Sequence, residues 1–273
     1  MLVLLPPSEG KATGGDGPPV GRRPVLSTPE LAAPRAALLA AVRRAARADR
    51  GGLATGLRLP PSAVRAALAA TTGAGSAPTL AALDRYTGVV YQAIDVGGLP
   101  SPARRRAEES VVVVSGLWGV VRGGDLVPDY RVPAAGTVPG HGGVAAHWRR
   151  PLAAAMPGLV GDQPVLDLRS TDYRAMWRPA SDLREQVVAV RVLAERPTGA
   201  VGPVSYHAKW VKGLVVGHLV RSGRTYADPM VALAEAAEAL ELRVVDTSTA
   251  TDRSVDLVGR YAGPAAASRS TSG

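Results

Sequence analysis

The sequence predicts a single α+β domain, in which helices flank one central sheet in a mixed α/β arrangement. Two observations lead to this prediction. Short apolar runs typical of buried strands are interspersed with longer alanine-rich stretches typical of helices, and their order lacks the strict alternation of a doubly wound sheet. No repeat or linker divides the 273 residues. We therefore place the domain at residues 1–263 and expect a disordered, small and polar tail at 264–273.

The first half of the chain predicts one strand and four helices. Residues 2–5 are a short apolar run ended by two prolines, which indicates a buried strand. The Gly- and Pro-rich residues 8–23 predict a loop. Helices are predicted where cap residues or prolines precede alanine-rich stretches, at residues 27–48, 60–70, 79–96 and 102–109, with Gly88 interrupting the third.

The second half begins with the clearest strand in the chain. Residues 110–114 are a serine and four valines, a β-branched run that indicates a central strand buried on both faces. Residues 133–143 are rich in Pro and Gly and predict a loop. Further strands are predicted at 165–168, 186–194, 200–206, 242–246 and 254–258, and helices at 145–156, 208–220 and 229–240.

The composition excludes several classes of protein. Cysteine is absent, which rules out disulfides, thiolate catalysis and cysteine-ligated zinc. His141 and His147 lie six positions apart without an HExxH motif, so we expect no metal site and no cofactor. No apolar run approaches the roughly 18 residues of a membrane helix, and the first residues lack the basic segment of a signal peptide. These features predict a cytoplasmic protein without a membrane partner.

The net charge of +9 favours an anionic partner, either a nucleic acid or a phosphorylated small molecule. Codon bias offers a second explanation, because the chain has no Phe or Asn and only three lysines among its 32 basic residues. A GC-rich genome would produce that usage. Against this background the three lysines, Lys11, Lys209 and Lys212, indicate positions where a compact ammonium is needed.

Polar side chains follow apolar strands in four segments, where they can converge in one cleft. The segments are 6–11, 115–131, 167–173 and 205–213. Their cations are candidates for phosphate contacts, and they are Lys11, Arg122, Arg131, Arg169, Lys209 and Lys212. Their hydroxyl, carboxylate and imidazole groups are candidates for acid–base or nucleophilic chemistry, and they are Ser8, Glu9, Asp125, Tyr130, Ser170, Tyr173 and His207.

Each segment also has a purely structural interpretation. Glu9 and Lys11 can pair within an ordinary turn, and Asp125 can pair with an arginine of its own segment to close a loop. Ser170 suits the cap of a helix. Lysines three apart on a helix share a face, which is often a solvated one.

Five motifs together resemble the YaaA peroxide stress protein family. They occur in the family's order, and they are Pro6–Lys11, Tyr86–Tyr91, Ser115–Arg131, Asp167–Tyr173 and Ser205–Gly213. The resemblance covers about residues 1–261 and is most specific at the Ser-Gly-Leu-Trp-Gly motif that begins at Ser115. The Ser-Glu-Gly-Lys form of the first motif looks like one branch of the family, since other members carry Ser-Pro-Ala-Lys.

The resemblance implies a cytoplasmic bacterial protein that limits oxidative DNA damage under peroxide stress, in association with lower free iron. It also implies a mixed α/β fold particular to the family, a basic cleft, and binding of double-stranded DNA.

Three functions stay open at this point. In the first, the six cations line one basic cleft and contact DNA phosphates without reading the sequence. In the second, the protein is an enzyme acting on a nucleotide or nucleobase, with Glu9 as acid or base and Lys11 stabilising charge. In the third, the motifs only stabilise the fold through ion pairs around an interaction surface. The sequence does not indicate an oligomeric state.

Overall fold

The structure of the protein, a computed structural model, describes residues 1–20 and 26–261. Its ten α-helices within these residues are α1 (Ala32–Ala48), α2 (Arg50–Gly56), α3 (Val64–Gly73), α4 (Ala82–Arg85), α5 (Val89–Ile94), α6 (Ser101–Ser110), α7 (Val144–Val160), α8 (Thr171–Arg174), α9 (Ser205–Ser222) and α10 (Pro229–Ala239). Its twelve strands are β1 (Leu2–Leu5), β2 (Leu80–Ala81), β3 (Val111–Ser115), β4 (Gly119–Arg122), β5 (Leu126–Val127), β6 (Thr137–Val138), β7 (Gly142–Gly143), β8 (Val165–Asp167), β9 (Val187–Glu195), β10 (Val201–Gly202), β11 (Arg243–Asp246) and β12 (Ser254–Arg260). The tail expected at 264–273 and the end of the loop expected at 8–23 lie outside the described residues.

Eight strands form one mixed sheet. Seven follow the path β11-β12-β9-β8-β1-β3-β4, and β10 pairs with β9. The five inner strands β12, β9, β8, β1 and β3 are parallel to one another, whereas β11, β4 and β10 pair antiparallel. Helices pack against this sheet, so the predicted α+β architecture with a central sheet is confirmed. Within residues 1–20 and 26–261, every helix is too short or too polar to span a bilayer.

The core is centred on the strands that the apolar runs predict. Every residue of β1 and of β3 is buried. β3 lies between β1 and β4, and its four valines pack on both faces of the sheet. A β-branched run suits this position because both faces of the strand are covered. The predicted central strand is therefore confirmed.

The C-terminal ends of β1, β3 and β8 meet at one edge of the sheet because these strands are parallel. The segments that follow them begin at Pro6, Gly116 and Leu168. Helix α9 reaches the same edge, where the Lys212 ammonium donates a hydrogen bond to the Leu168 carbonyl. The sheet topology thus brings together residues that are distant in sequence. In sheets with parallel strands, ligands bind at this C-terminal edge.

The structure differs from the predicted elements at several positions. The strand expected at 200–206 is only Val201–Gly202, and α9 begins at Ser205 instead of residue 208. The helix expected at 79–96 divides into β2, α4 and α5, with Gly88 preceding α5. Helix α2 and the hairpin strand β4 were not predicted. In each case packing of a short segment against its neighbours decides a conformation that local propensity leaves open.

Candidate functional site

A cavity of about 470 Å³ opens at the C-terminal edge of the sheet. It lies between the loop after β1, the loop after α2, the segment that begins at Tyr130, helix α8 and the start of α9. Its polar lining residues are Ser8, Glu9, Lys11, Arg58, Tyr130, Arg131, Ser170, Asp172, Tyr173, Ser205, Lys209 and Lys212. Five cations and two carboxylates therefore face one space, whose size suits a small ligand or part of a larger one. We call it the lysine cavity.

Lys11 is held against aromatic rings at one wall of the lysine cavity. Its ammonium lies 4.4 Å from the ring centroid of Tyr130 and 5.6 Å from that of Tyr86. It donates a hydrogen bond of 3.0 Å to the Ser8 carbonyl oxygen. Burial lowers the pKa of Lys11 to about 8. The ring faces stabilise the charged form, so at neutral pH Lys11 presents a cation with little water around it.

Helix α9 supplies the other two lysines. Lys212 donates hydrogen bonds to the carbonyl oxygens of Leu168 (2.7 Å) and Arg169 (3.4 Å). Burial, reinforced by the nearby Arg174 charge, lowers the pKa of Lys212 to about 8. Lys209 lies about one turn earlier on the same face and is exposed. The predicted lysine pair therefore faces the cavity, with one member fixed and one free to follow a ligand.

An ion pair closes the rim of the cavity. The Arg131 guanidinium donates to a carboxylate oxygen of Glu9 at 2.6 Å. Glu9 does not pair with Lys11 in the way that a simple turn would require. Its side chain is 82% exposed, so this pair is screened by water and contributes little to stability. An incoming anion can therefore compete with Glu9 for Arg131.

Buried hydroxyl groups form a chain behind Lys11. The Tyr130 hydroxyl lies 2.6 Å from the Ser115 hydroxyl and 2.7 Å from that of Tyr86. Ser115 also accepts a hydrogen bond of 3.0 Å from the Trp118 backbone N–H. Burial raises the pKa of Tyr130 well above its usual value. Tyr130 is consequently neutral at physiological pH and fits a hydrogen-bonding and positioning role better than that of a base.

The structure corrects the placement of two of the six predicted cations. Arg122 ends β4 and pairs in register with Val112, near the start of β3. Because β4 returns antiparallel, it carries Arg122 to the opposite edge of the sheet from the cavity. Arg169 is buried and makes a bidentate ion pair with Asp167, with N–O distances of 2.8 and 2.7 Å. Neither side chain lines the lysine cavity.

Two of the seven candidates for chemistry also lie elsewhere. Asp125 follows β4 away from the cavity and accepts hydrogen bonds from the hydroxyl and backbone N–H of Ser27. His207 precedes Lys209 by two positions, which turns it about 200° around the helix. It packs instead beside Gly259 and Tyr261 of the strand layer. The remaining candidates, Ser8, Glu9, Tyr130, Ser170 and Tyr173, line the lysine cavity.

Comparison with known proteins identifies the family. A family model described as peroxide stress protein YaaA matches residues 1–237. The chain belongs to the YaaA peroxide stress protein family. Among curated relatives, the UPF0246 protein SCO2297 of Streptomyces coelicolor is 41% identical over 246 residues, which cover 88% of this chain and 89% of the relative. The UPF0246 protein CE1889 of Corynebacterium efficiens is 34% identical, covering 82% of this chain and 86% of the relative.

Sequence reasoning missed one cation of this YaaA-family site. Arg58 lines the lysine cavity from the loop after α2. Its φ of 54° lies in the left-handed region, which favours glycine. An arginine kept in a strained conformation beside a cavity is typical of a functional position. The signal in the sequence is weak, because only the end of an unpredicted helix marks the position.

Metal ligands are sparse around the site. The described residues 1–20 and 26–261 contain no group of three or more His, Asp and Glu side chains arranged to hold a metal ion. His141 and His147 do meet, with ring nitrogens 3.0 Å apart, but away from the lysine cavity. The cavity's ammonium, guanidinium and hydroxyl groups favour an anion over a cation.

Proposed function

We propose that this protein contributes to peroxide stress defence by binding double-stranded DNA at the lysine cavity, and so helps to limit iron-driven oxidative damage. The observation that carries the proposal is the convergence of Lys11, Arg131, Lys209 and Lys212 on one opening. These four come from three segments of the chain, and Arg58 adds a fifth positive charge. Membership of a peroxide stress family supplies the physiological setting.

Contacts of this kind give affinity without sequence readout. Each cation that neutralises a DNA phosphate releases condensed counterions, so binding weakens as salt rises. Four or five such contacts predict a log–log slope of affinity against salt on the order of −4. The lysine cavity is lined by cations with few base-reading amides, which supports binding to the backbone.

A salt titration tests the proposal. The dissociation constant of a labelled 20-base-pair duplex is measured by fluorescence anisotropy between 50 and 300 mM KCl. We expect Lys209→Ala to weaken binding to duplexes of any base sequence. It should also reduce the magnitude of the log–log slope of affinity against salt by about 1. Arg47→Ala is the matched control, because Arg47 is exposed on α1 and does not line the cavity. Tight binding that is flat against salt would contradict the proposal.

A second function is favoured by the size and chemistry of the cavity. At about 470 Å³ it suits a nucleotide or nucleobase, and hydroxyl groups of Ser8, Ser170 and Tyr173 face it beside the Glu9 carboxylate. A carboxylate, hydroxyls and cations in one cavity fit acid–base catalysis. Glu9 would then act as acid or base while Lys11 stabilises developing charge.

Glu9→Gln separates the two functions. The substitution removes the carboxylate that occupies Arg131, so duplex affinity is expected to stay the same or rise. Turnover of a nucleotide or nucleobase substrate, followed by chromatography of the products, is expected to fall to background if the protein is an enzyme. Full turnover by this variant would exclude Glu9 from catalysis. Ser76→Ala on an exposed loop serves as a control for the protein preparation.

A further inference from the structure

A second cavity lies on the other side of helix α8. Its volume is about 590 Å³. Four arginines and two aspartates line it, and they are Arg169, Arg174, Arg178, Arg184, Asp167 and Asp252. Ala175, Trp177, Pro179, Val187 and Ala189 form its apolar wall. We call it the arginine cavity. The motif Asp167–Tyr173 contributes Asp167 and Arg169 to its lining, whereas Arg174, Arg178 and Arg184 lie outside every motif of the sequence.

Positive charge in the lining of the arginine cavity exceeds negative charge, because four guanidinium groups face two carboxylates. Burial disfavours the ionised form of Asp167, but the Arg169 guanidinium and its hydrogen bonds outweigh burial and lower the pKa of Asp167. Arg174 Nε lies 3.7 Å from the same carboxylate. One buried negative charge thus faces two guanidinium groups, and the uncompensated charge favours an added anion.

The two inner arginines have different roles. Arg169 is fixed by both carboxylate oxygens of Asp167 and by the Trp177 ring, 5.1 Å from its guanidinium carbon. Arg174 uses only Nη2 for backbone contacts, donating to the carbonyl oxygens of Asp167 (3.1 Å) and Val190 (3.0 Å). Among the described residues its Nη1 has no hydrogen-bond partner. Arg174 therefore offers a free donor to the cavity from a fixed position.

The two outer arginines are free to contact a ligand. Arg178 and Arg184 line the cavity but make no side-chain hydrogen bond or ion pair with any residue in the described ranges. With Arg174, three guanidinium groups that line the same cavity are therefore available to an anion. Planar guanidinium forks match the oxygens of a phosphate group, and the apolar wall around Trp177 provides a surface for an attached organic group.

We propose that the arginine cavity binds the phosphate group of a phosphorylated small molecule of about mononucleotide size. Arg174, Arg178 and Arg184 hold the phosphate, and the Asp167–Arg169 pair keeps Arg174 in place. The organic group lies along Trp177 and Val187. This site shares helix α8 with the lysine cavity. It contains none of the four cations proposed to bind DNA, so either proposal can fail without the other.

The test measures binding of two probes, inorganic phosphate and adenosine monophosphate, to the full chain by isothermal titration calorimetry. Arg178→Ala and Arg184→Ala are each expected to weaken adenosine monophosphate binding by about tenfold or more, since each removes a charge-assisted hydrogen bond. Within residues 1–20 and 26–261 neither side chain makes a hydrogen bond or an ion pair, so the variants should fold, which thermal denaturation checks. Arg47→Ala is the control and should bind as the unmodified chain does, because Arg47 lines neither cavity.

Several outcomes overturn the proposal. Absence of saturable binding by the unmodified chain is one, and equal affinity of Arg178→Ala, Arg184→Ala and the Arg47→Ala control is another. Loss of duplex DNA affinity in the two variants, without any adenosine monophosphate binding to lose, would assign these arginines to a nucleic-acid surface instead. Selective loss of adenosine monophosphate binding, with duplex affinity retained, supports the proposal.

Discussion

Lys11 and Lys212 make the charge of the lysine cavity sensitive to pH near neutrality. Burial lowers the pKa of each to about 8, whereas a solvated lysine titrates near 10.4. Both ammonium groups also donate hydrogen bonds to carbonyl oxygens, which favour the charged form. The protein therefore keeps two poorly hydrated cations that an anion can reach without displacing a full water shell.

A pH titration of anion binding follows from these two lysines. Because the ammonium forms attract the anion and are lost as pH rises through about 8, duplex affinity is expected to fall between pH 7 and 9.5. The dissociation constant is measured at constant ionic strength. Lys209→Ala should weaken binding without moving the midpoint. Affinity that stays constant from pH 7 to 9.5 in the unmodified chain would contradict a lowered pKa for Lys11 and Lys212.

Arg58 and Glu241 allow backbone strain to be separated from function. Both have positive φ, 54° and 52°, but only Arg58 lines the lysine cavity. Substitution by glycine relieves the left-handed strain at either position and is expected to raise the free energy of unfolding by up to about 1 kcal/mol. Only Arg58→Gly should also weaken anion binding. Chemical denaturation and anisotropy measure the two effects, and equal affinity in both variants would remove Arg58 from the site.

At the scale of elements, helix α9 links the site to the packing of the core. It packs on α5 and β9 and carries both Lys209 and Lys212. Gly213, directly after Lys212, lets the helix approach the Val90 carbonyl of α5 so closely that a Cβ there would clash with the backbone. The position of the lysine pair therefore depends on the absence of one side chain.

Gly213→Ala is expected to destabilise the protein by about 1–3 kcal/mol, because the clash forces α9 away from α5. Anion affinity should fall with it, since both lysines move. Gly158→Ala is the matched control, because an added Cβ at this glycine near the end of α7 would meet no atom within 4 Å. There alanine should be neutral or stabilising by up to about 1 kcal/mol. Urea denaturation measures both, and equal effects would refute the close-packing argument.

Elements also explain which parts of the site the sequence can predict. Lys11 and Lys212 are predictable because each belongs to a motif beside a recognisable strand end or helix. Arg122 is not, because its place depends on β4 turning back along β3, and the hairpin lies inside a motif whose glycines suggest a loop. His207 is misplaced because the predicted start of α9 was three residues late, which left its helical face undefined.

At the scale of the whole molecule, the sequence predicts the fold class and most long elements but not the direction of the strands. Apolar runs identify β1, β3 and β8, since burial on both faces requires them. These strands are parallel because long connections that contain helices join them. No local sequence pattern encodes the direction of a strand. The two cavities on either side of α8 follow from this topology, which explains why neither is visible in one motif.

The central place of β1 affects the order in which the chain can fold. Val3 pairs in register with Val111 on one side and with Leu166 on the other. During synthesis this apolar strand leaves the ribosome before either partner, and Leu166 follows Val3 by about 160 residues. Strand pairs with such a large sequence separation form slowly, and until they form the apolar strand β1 stays exposed to solvent and can aggregate. Newly made chains should therefore depend on chaperones, and truncation before Val165 should yield aggregates.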